Sequence, residues 1–197
     1  MGFRKVRLFE ITTEIGQDGY PVYGATPIRL QGTGTEEDFN SVSIKLTSVK
    51  KTKTLVADDK ERVNEIEVGY DIELEVLGVD AGASEDAFGF VKDANGNIKE
   101  VVNGTKKKFG LFFEGKTASG TIFQKYLYKI QFVTPDTEQQ ADSGESVVTL
   151  KIIGKGEIIT DTNGVQVKAY TIYSGNTGFV TGEPTEMYKE PVEEPEV

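Results

Sequence analysis

The most restrictive feature of the chain is the stretch 66–76, in which apolar and polar residues alternate without interruption. A period of two places successive side chains on opposite faces of an extended strand, whereas a helix needs a period near 3.6. The apolar face holds Ile66, Val68, Tyr70, Ile72, Leu74 and Val76, and the other face holds Glu67, Gly69, Asp71, Glu73 and Glu75. This stretch is predicted to be a strand with one buried face and one solvated, negative face.

Further segments rich in β-branched and aromatic residues predict at least five more strands. These segments are 41–49, 109–113, 122–133, 147–153 and 165–173. Three Gly-containing breaks, at 95–97, 118–120 and 162–164, are typical of hairpin turns, because Asn and Gly tolerate positive φ. Strands joined by tight turns pair in the antiparallel sense. We therefore predict an all-β fold, an antiparallel β-sandwich or barrel.

Two segments interrupt the strand pattern. Residues 81–90 predict one short flanking helix, with Ser84 as its N-cap and acidic residues in its first turn. Residues 50–65 are charged and weakly patterned, and they predict a long inter-strand loop. A loop of this length in a compact domain is usually functional or disordered, so this one is a candidate contact arm.

The 197 residues fit a single domain. From Gly182 onward the composition changes to a run of Pro and Glu. Such a run buries too little apolar area to offset the entropy lost when a chain becomes ordered. We predict one β domain over residues 1–181 and an extended acidic tail over residues 182–197.

The chain contains no His, no Cys and no Trp. This composition excludes histidine general bases, cysteine nucleophiles and zinc sites of the Cys/His type. Two carboxylates would suffice for a glycosidase, but the Tyr and Phe residues that would line its cleft mostly belong to predicted strands. We expect no enzymatic activity and no cofactor. With a net charge of −10, the chain repels phosphates on average and is not expected to bind DNA conventionally.

Three local motifs have a chemical interpretation beside a structural one. Residues 58–61 are rich in carboxylates but lack the spacing of a calcium loop, which favours a solvated turn. Residues 93–97 alternate oxygen-bearing side chains, and the missing acidic closing residue favours a hairpin turn. The basic triplet 106–108 is interpreted as a solvated strand start or as a partner for acidic surface on a neighbouring subunit.

The N-terminal residues lack the unbroken apolar run of a signal peptide, because charged residues interrupt it. No apolar run reaches the roughly 18 residues that span a bilayer. We expect the chain to be made and folded in a cytoplasm, without membrane contact.

Six blocks of sequence, taken in order, carry a family resemblance. They are 23–30 (YGATPIRL), 55–59 (LVADD), 74–80 (LEVLGVD), 109–111 (FGL), 126–129 (YLYK) and 146–150 (SVVTL), and together they cover roughly residues 4 to 160. These blocks resemble the phage major tail proteins, the tail tube subunits of long, noncontractile-tailed phages, particularly the phi13-like branch.

The resemblance implies a tail tube β-sandwich whose subunits form hexameric rings, stacked into a hollow tube that conducts DNA during ejection. It places the chain in the virion tail after synthesis in the host bacterial cytoplasm. The partners implied are other copies of the chain, a tape-measure protein and tail tip and terminator proteins, while DNA passes without specific binding. Residues 50–65 resemble the loop that reaches the adjacent ring, with contact residues Lys53, Leu55, Val56, Asp58, Asp59 and Arg62.

Within that interpretation, the carboxylate face of 66–76 lies toward the lumen of the tube. Repeated negative charge there would discourage DNA from adhering, because cationic walls hold phosphates through counterion release. The lumen residues predicted on this basis are Glu67, Asp71, Glu73 and Glu75. The alternative is a non-viral β-sandwich that binds carbohydrate or mediates adhesion, which predicts a stable monomer with an exposed aromatic platform.

Overall fold

A computed structural model describes residues 3–30, 41–57, 60–76, 87–95, 97–99, 106–133, 150–161 and 163–190. In these residues the chain is almost entirely antiparallel β-structure, which confirms the predicted all-β class. The long strands are β1 (Arg4–Thr13), β4 (Ser41–Ala57), β5 (Lys60–Val76), β8 (Lys108–Lys116), β9 (Ile122–Phe132), β10 (Leu150–Glu157) and β13 (Ala169–Tyr173). The two-residue strands are β2 (Val22–Tyr23), β3 (Ile28–Arg29), β6 (Val91–Lys92), β7 (Ile98–Lys99), β11 (Ile159–Thr160) and β12 (Gln166–Val167).

Nine of these strands form one sheet with the order β2-β1-β8-β9-β10-β5-β4, in which β3 also pairs with β1 and β13 with β9. The sheet divides at β9. The first half of β9, from Phe123 to Leu127, pairs with β13. The end of β9, from Ile130 to Phe132, pairs with β10. Strand β8 pairs along the other edge of β9. Strand β9 therefore joins two branches of the sheet.

One hydrophobic core lies between the two ends of this sheet. Leu8 on β1 and Leu111 on β8 share it with Ile72 on β5 and Ile152 on β10. Strands β1 and β5 are separated by three strands in the sheet order, so the sheet must curl for their side chains to meet. The curled sheet thus encloses its own core, as a sandwich or barrel does.

A second hydrophobic core covers the opposite face of the central strands. It contains Phe9 from β1, Phe112 from β8, and Tyr126 and Tyr128 from β9. The strand β13 and the C-terminal residues close it from outside, through Ile172 and Met187 among others. Strands β1, β8 and β9 are consequently buried on both faces.

The three predicted hairpin turns are confirmed. The turn at 118–120 joins β8 to β9, the turn around Asn95 joins β6 to β7, and the turn at 163–164 joins β11 to β12. In the last two, an Asp carboxylate accepts backbone N–H groups across the turn, from Asn95 and Asn97 to Asp93 and from Asn163 and Val165 to Asp161. The turn interpretation of residues 93–97 is therefore correct.

Of the predicted helix, residues 81–86 lie outside the described part of the chain. Ala87 and Phe88 have helical conformation, and both are buried. Gly89 follows with a φ of 72°, the left-handed conformation that commonly ends a helix. Phe88 packs against Phe132 with ring centroids 6.1 Å apart, which attaches this turn to the first core.

Candidate assembly surface

Strand β4 is the outermost strand at one end of the large sheet. Its inner edge pairs with β5 from Ser41 to Ala57, and no described strand pairs with its outer edge. A 17-residue edge strand presents a long row of backbone N–H and C=O groups that another chain can pair with. Natural monomers usually protect such edges, so an open edge of this length is a candidate site of assembly.

The outer half of the β4–β5 pair extends past its neighbour in the sheet. Strand β10 pairs with β5 from Val76 back to Gly69 and no further. From the pair Lys50↔Glu67 to the pair Ala57↔Lys60, the two strands pair only with each other among the described residues. Eight residues per strand at about 3.3 Å each give a two-stranded ribbon of roughly 26 Å. We call residues 50–57 and 60–67 the ribbon.

The ribbon corrects the prediction that residues 50–65 form an irregular loop. The predicted contact residues Lys53, Leu55 and Val56 lie on β4, and Arg62 lies on β5 directly opposite Leu55. Asp58 and Asp59 lie outside the described residues. The alternation seen in 66–76 is missing here, where no third strand of the described residues pairs with the ribbon. At its base Lys50, Lys51, Thr52, Glu65 and Ile66 are all exposed, so burial does not select apolar residues for one face.

A bulge at the base of the ribbon changes the facing of one predicted lumen residue. Between the pairs Val49↔Gly69 and Lys50↔Glu67, β5 has one residue more than β4, namely Val68. Ser48 pairs with Tyr70 and so lies on the core side. The Lys168 Nζ atom donates to both the Glu67 carboxylate (2.6 Å) and the Ser48 hydroxyl (3.3 Å). Glu67 therefore lies on the core side.

The other three predicted lumen residues, Asp71, Glu73 and Glu75, do lie together on the outer face of β5. The prediction of one four-carboxylate face is thus wrong for Glu67 alone. A sequence period of two cannot reveal this, because an inserted bulge residue reverses the facing of every residue beyond it.

The outer face of β5 is not a purely negative surface, because lysines of the neighbouring strands stand opposite its carboxylates. In register, Lys155 faces Asp71, Lys45 faces Glu73, and Lys151 faces Glu75. Lys151 also donates to Glu73 at 2.9 Å, and a hydrogen bond from Lys151 lowers the pKa of that carboxyl. This sheet face therefore carries balanced charges.

Exposed apolar side chains collect at the base of the ribbon. Val49, Ile66 and Val68 are between 38% and 49% exposed although two of them belong to the alternating pattern of 66–76. Tyr70 and Ile72, the next apolar residues of this pattern on β5, are fully buried. Apolar surface next to an open strand edge is typical of a surface that another protein covers.

A ring of four charged side chains joins four parts of the chain. Lys108 on β8 and Lys129 on β9 each contact both Glu14, after β1, and Glu157, at the end of β10, at 2.7–3.0 Å. Hydrogen bonds from Lys129 and Lys108 lower the pKa of Glu14 to about 2. Burial raises the pKa of Glu157, but hydrogen bonds from the same lysines outweigh it and lower the pKa overall. The sequence contains no spacing that would have predicted this ring.

We expect the ring to make the free energy of unfolding depend on pH in the acidic range. A carboxyl whose pKa is depressed in the folded state stabilises the fold above its ordinary pKa of 4.5, and the contribution is lost as the pH falls toward about 2. The double variant Glu14→Gln with Glu157→Gln should have a lower urea midpoint at neutral pH and a smaller further loss on acidification. Glu186→Gln, an exposed glutamate outside the ring, serves as the control. Parallel pH profiles for the double variant and wild type would contradict this role.

Two lysines of the basic triplet 106–108 form ion pairs within the same chain. Lys108 belongs to the ring, and Lys107 contacts Glu10 on β1 at 2.9 Å. These ion pairs link the start of β8 to β1, to the residue after β1 and to β10, while a contact with a neighbouring subunit stays a prediction.

The first part of the predicted tail packs against the domain. Met187 is buried in the second core, and the Tyr188 ring lies 4.8 Å from that of Tyr170. Arg7 donates two hydrogen bonds to the Glu183 carboxylate. The prediction that the tail buries too little apolar area is thus wrong up to Tyr188, because a few well-placed side chains suffice when a groove already exists. Residues 191–197 lie outside the described part.

In the described residues, the acidic side chains form no group of three that could hold a metal ion. None of the helical structure described is long and apolar enough to cross a membrane. No protein-family model and no curated protein matches this chain.

Proposed function

We propose that the chain is a structural subunit that assembles with copies of itself, and specifically a phage tail tube subunit that forms stacked hexameric rings around a DNA conduit. The observation that supports assembly most strongly is the 17-residue edge strand β4, whose outer edge has no partner among the described residues. The step from assembly to a tail tube rests on the resemblance of residues 23–30, 55–59 and 74–80 to the phage major tail proteins.

In this proposal the open edge of β4 pairs with a strand of the next subunit in the ring. Joining sheets edge to edge closes the ring and removes every exposed edge, as a barrel does. The ribbon extends in the strand direction beyond the body of the sheet, which suits a contact with a ring above or below. The exposed Val49, Ile66 and Val68 would be covered by the same contact.

The outer face of β5 and β10 would line the conduit. Its carboxylates, Asp71, Glu73 and Glu75, discourage phosphates, and the lysines that stand opposite them in register offset their charge. A wall of balanced charge lets DNA pass without adhering. This refines the hypothesis of a uniformly negative wall.

The carbohydrate-binding alternative has less support. Such a module needs an exposed platform of aromatic rings, and Tyr173 is the one exposed aromatic side chain in the described part of the chain. Most other Tyr and Phe side chains there belong to the two cores. We therefore retain the assembly proposal as the conclusion.

The proposal predicts concentration-dependent polymerisation. Negative-stain electron microscopy and sedimentation of the purified chain across a concentration series should show rings or hollow tubes of uniform diameter. A species that stays monomeric at every concentration would contradict a self-assembling subunit.

A further inference from the structure

The residues after β13 are bound to the domain by side chains of the sheet and not by strand pairing. Residues 179–190, which we call the C-terminal segment, contain no strand and add no rung to the sheet. They are bound instead by side chains that project from β1, β8 and β9. We call the surface formed by Arg7, Gly110, Gln124 and Tyr126 the receptor groove.

The first anchor in the receptor groove, Gln124, binds the backbone of the C-terminal segment. Gln124 is fully buried, and its amide makes two hydrogen bonds with Val180. The Gln124 Nε2 atom donates to the Val180 carbonyl (2.5 Å), and the Val180 N–H donates to Gln124 Oε1 (3.0 Å). A buried amide that satisfies both backbone groups of one residue is a recognition element for an extended peptide.

The second anchor, Arg7, binds the carboxylate of Glu183. Arg7, 7% exposed, donates from Nε and Nη2 to the two carboxylate oxygens of Glu183, at 2.8 and 2.7 Å. Paired parallel hydrogen bonds of this kind are the strongest and most geometrically selective contacts of arginine. A buried arginine without its carboxylate would be costly, so the groove requires an acidic residue at this position.

The third anchor is a notch for an apolar side chain. Gly110 on β8 leaves room for Met187, since a Cβ atom at position 110 would lie 2.8 Å from the Met187 Cε atom. Tyr188 then lies across Gly178 and packs on Tyr170 and Tyr126, with ring centroids 4.8 and 5.9 Å away. Lys189 completes the set with an ion pair to Asp18 at 2.7 Å.

The C-terminal segment can leave this groove as a unit without breaking the sheet. Its described hydrogen bonds to the groove each involve a side chain of the groove, none belongs to a pairing of two strands, and the connection before it, 174–177, is exposed. Gly175 lies in that connection with a φ of 93°, and Gly178, which directly precedes the C-terminal segment, has a φ of 87°. Short exposed connections of this type are the hinges at which identical chains exchange elements.

We propose that the receptor groove is a peptide-binding site that accepts residues 179–190 of a second copy of this chain, so that neighbouring copies exchange their C-terminal segments. A second copy fits by construction, because it carries the same Val180, Glu183 and Met187 at the same spacing. Exchange is favoured when copies stand close together, since a neighbour's segment then competes at high effective concentration. This inference holds for any close-packed assembly of the chain and does not depend on its being a tail tube.

A peptide experiment tests the site. A fluorescent peptide of residues 179–190 is titrated into full-length protein carrying Glu183→Ala and Met187→Ala, which weaken the chain's own segment. We expect binding at least about tenfold tighter than to wild-type protein, whose own segment competes. A peptide with Glu183→Ala should lose about tenfold in affinity, and a control peptide with Thr185→Ala should bind as the parent does. Equal binding of all three peptides would overturn the recognition role of Arg7.

A cross-linking experiment tests whether the segment in the receptor groove comes from a second copy of the chain. The chain has no native Cys, so chains with Asp18→Cys alone and Lys189→Cys alone can be mixed and treated with a short bismaleimide. We expect a covalent heterodimer that increases with concentration, and none from the control mixture of Lys50→Cys with Lys189→Cys. A chain carrying both Asp18→Cys and Lys189→Cys reports the contact within one copy. If that chain cross-links internally while the mixture yields no heterodimer at any concentration, exchange is overturned, whether or not tubes form.

Discussion

Removing residues 53–64 and joining Thr52 to Glu65 through Asn-Gly should abolish assembly and leave the thermal midpoint of the subunit almost unchanged. Thr52 and Glu65 are paired in register, so a two-residue turn can close the shortened hairpin. The part removed is paired only with itself among the described residues, and an isolated two-stranded hairpin adds little stability of its own. Electron microscopy and calorimetry on the same preparation would separate the two effects.

The matched control for this truncation keeps the ribbon at full length and replaces only residues 58 and 59 by Asn-Gly. It should assemble as wild type does if the length of the ribbon matters and its tip does not. Tubes formed by the truncated chain would rule out the ribbon as an assembly contact. A truncated chain that fails to fold would show that the ribbon stabilises the subunit itself.

The largest loss of stability is expected from Gly156→Ala. Gly156 on β10 faces Tyr70 on β5 in register, and the Tyr70 ring lies over it. A Cβ atom at position 156 would lie 2.0 Å from that ring, which is buried in the first core, so the ring or the strand must shift. Overpacking of this kind costs about 3 kcal/mol, which for a chain of this size lowers the thermal midpoint by roughly 10 °C.

Two further variants make this prediction specific. Gly182→Ala, at a position where an added Cβ meets nothing within 4 Å, should leave stability unchanged. In a background carrying Tyr70→Ala, the change Gly156→Ala should cost almost nothing, because the ring that it strikes is gone. Equal costs of Gly156→Ala with and without the ring would show that backbone flexibility, and not the contact with Tyr70, requires glycine here.

The strands with one solvated face could be predicted from sequence, because burial on one side imposes a period of two. Strand β5 is the clearest case, and the turns that close β6–β7, β8–β9 and β11–β12 are marked by Asn, Gly or Ser. Strand β1 could not be found in this way. Its residues Leu8 and Phe9 are both fully buried, in different cores, so its sequence has no alternation to detect.

Residues 50–65 were predicted as a loop and form a two-stranded ribbon instead, and their role in assembly stays a prediction. The sequence indicates that residues 50–65 differ from the neighbouring strands, but a two-stranded ribbon without alternating polarity has the same sequence pattern as a loop. The separation of Glu67 from Glu73 and Glu75 depends on a bulge, and the packing of Met187 depends on a notch made by Gly110. Both are relations between distant parts of the chain, which a local pattern does not contain.

The bulge at Val68 also limits how this protein can change in length over evolution. Beyond that point the facing of each side chain depends on the count of residues back to the bulge. Adding or losing matched pairs at the end of the ribbon away from the bulge changes its length and leaves the facing of every retained residue intact. Gain or loss of one residue on either side of Val68 would instead move each side chain of the ribbon to the opposite face. Related sequences should therefore differ in length in this region by even numbers of residues.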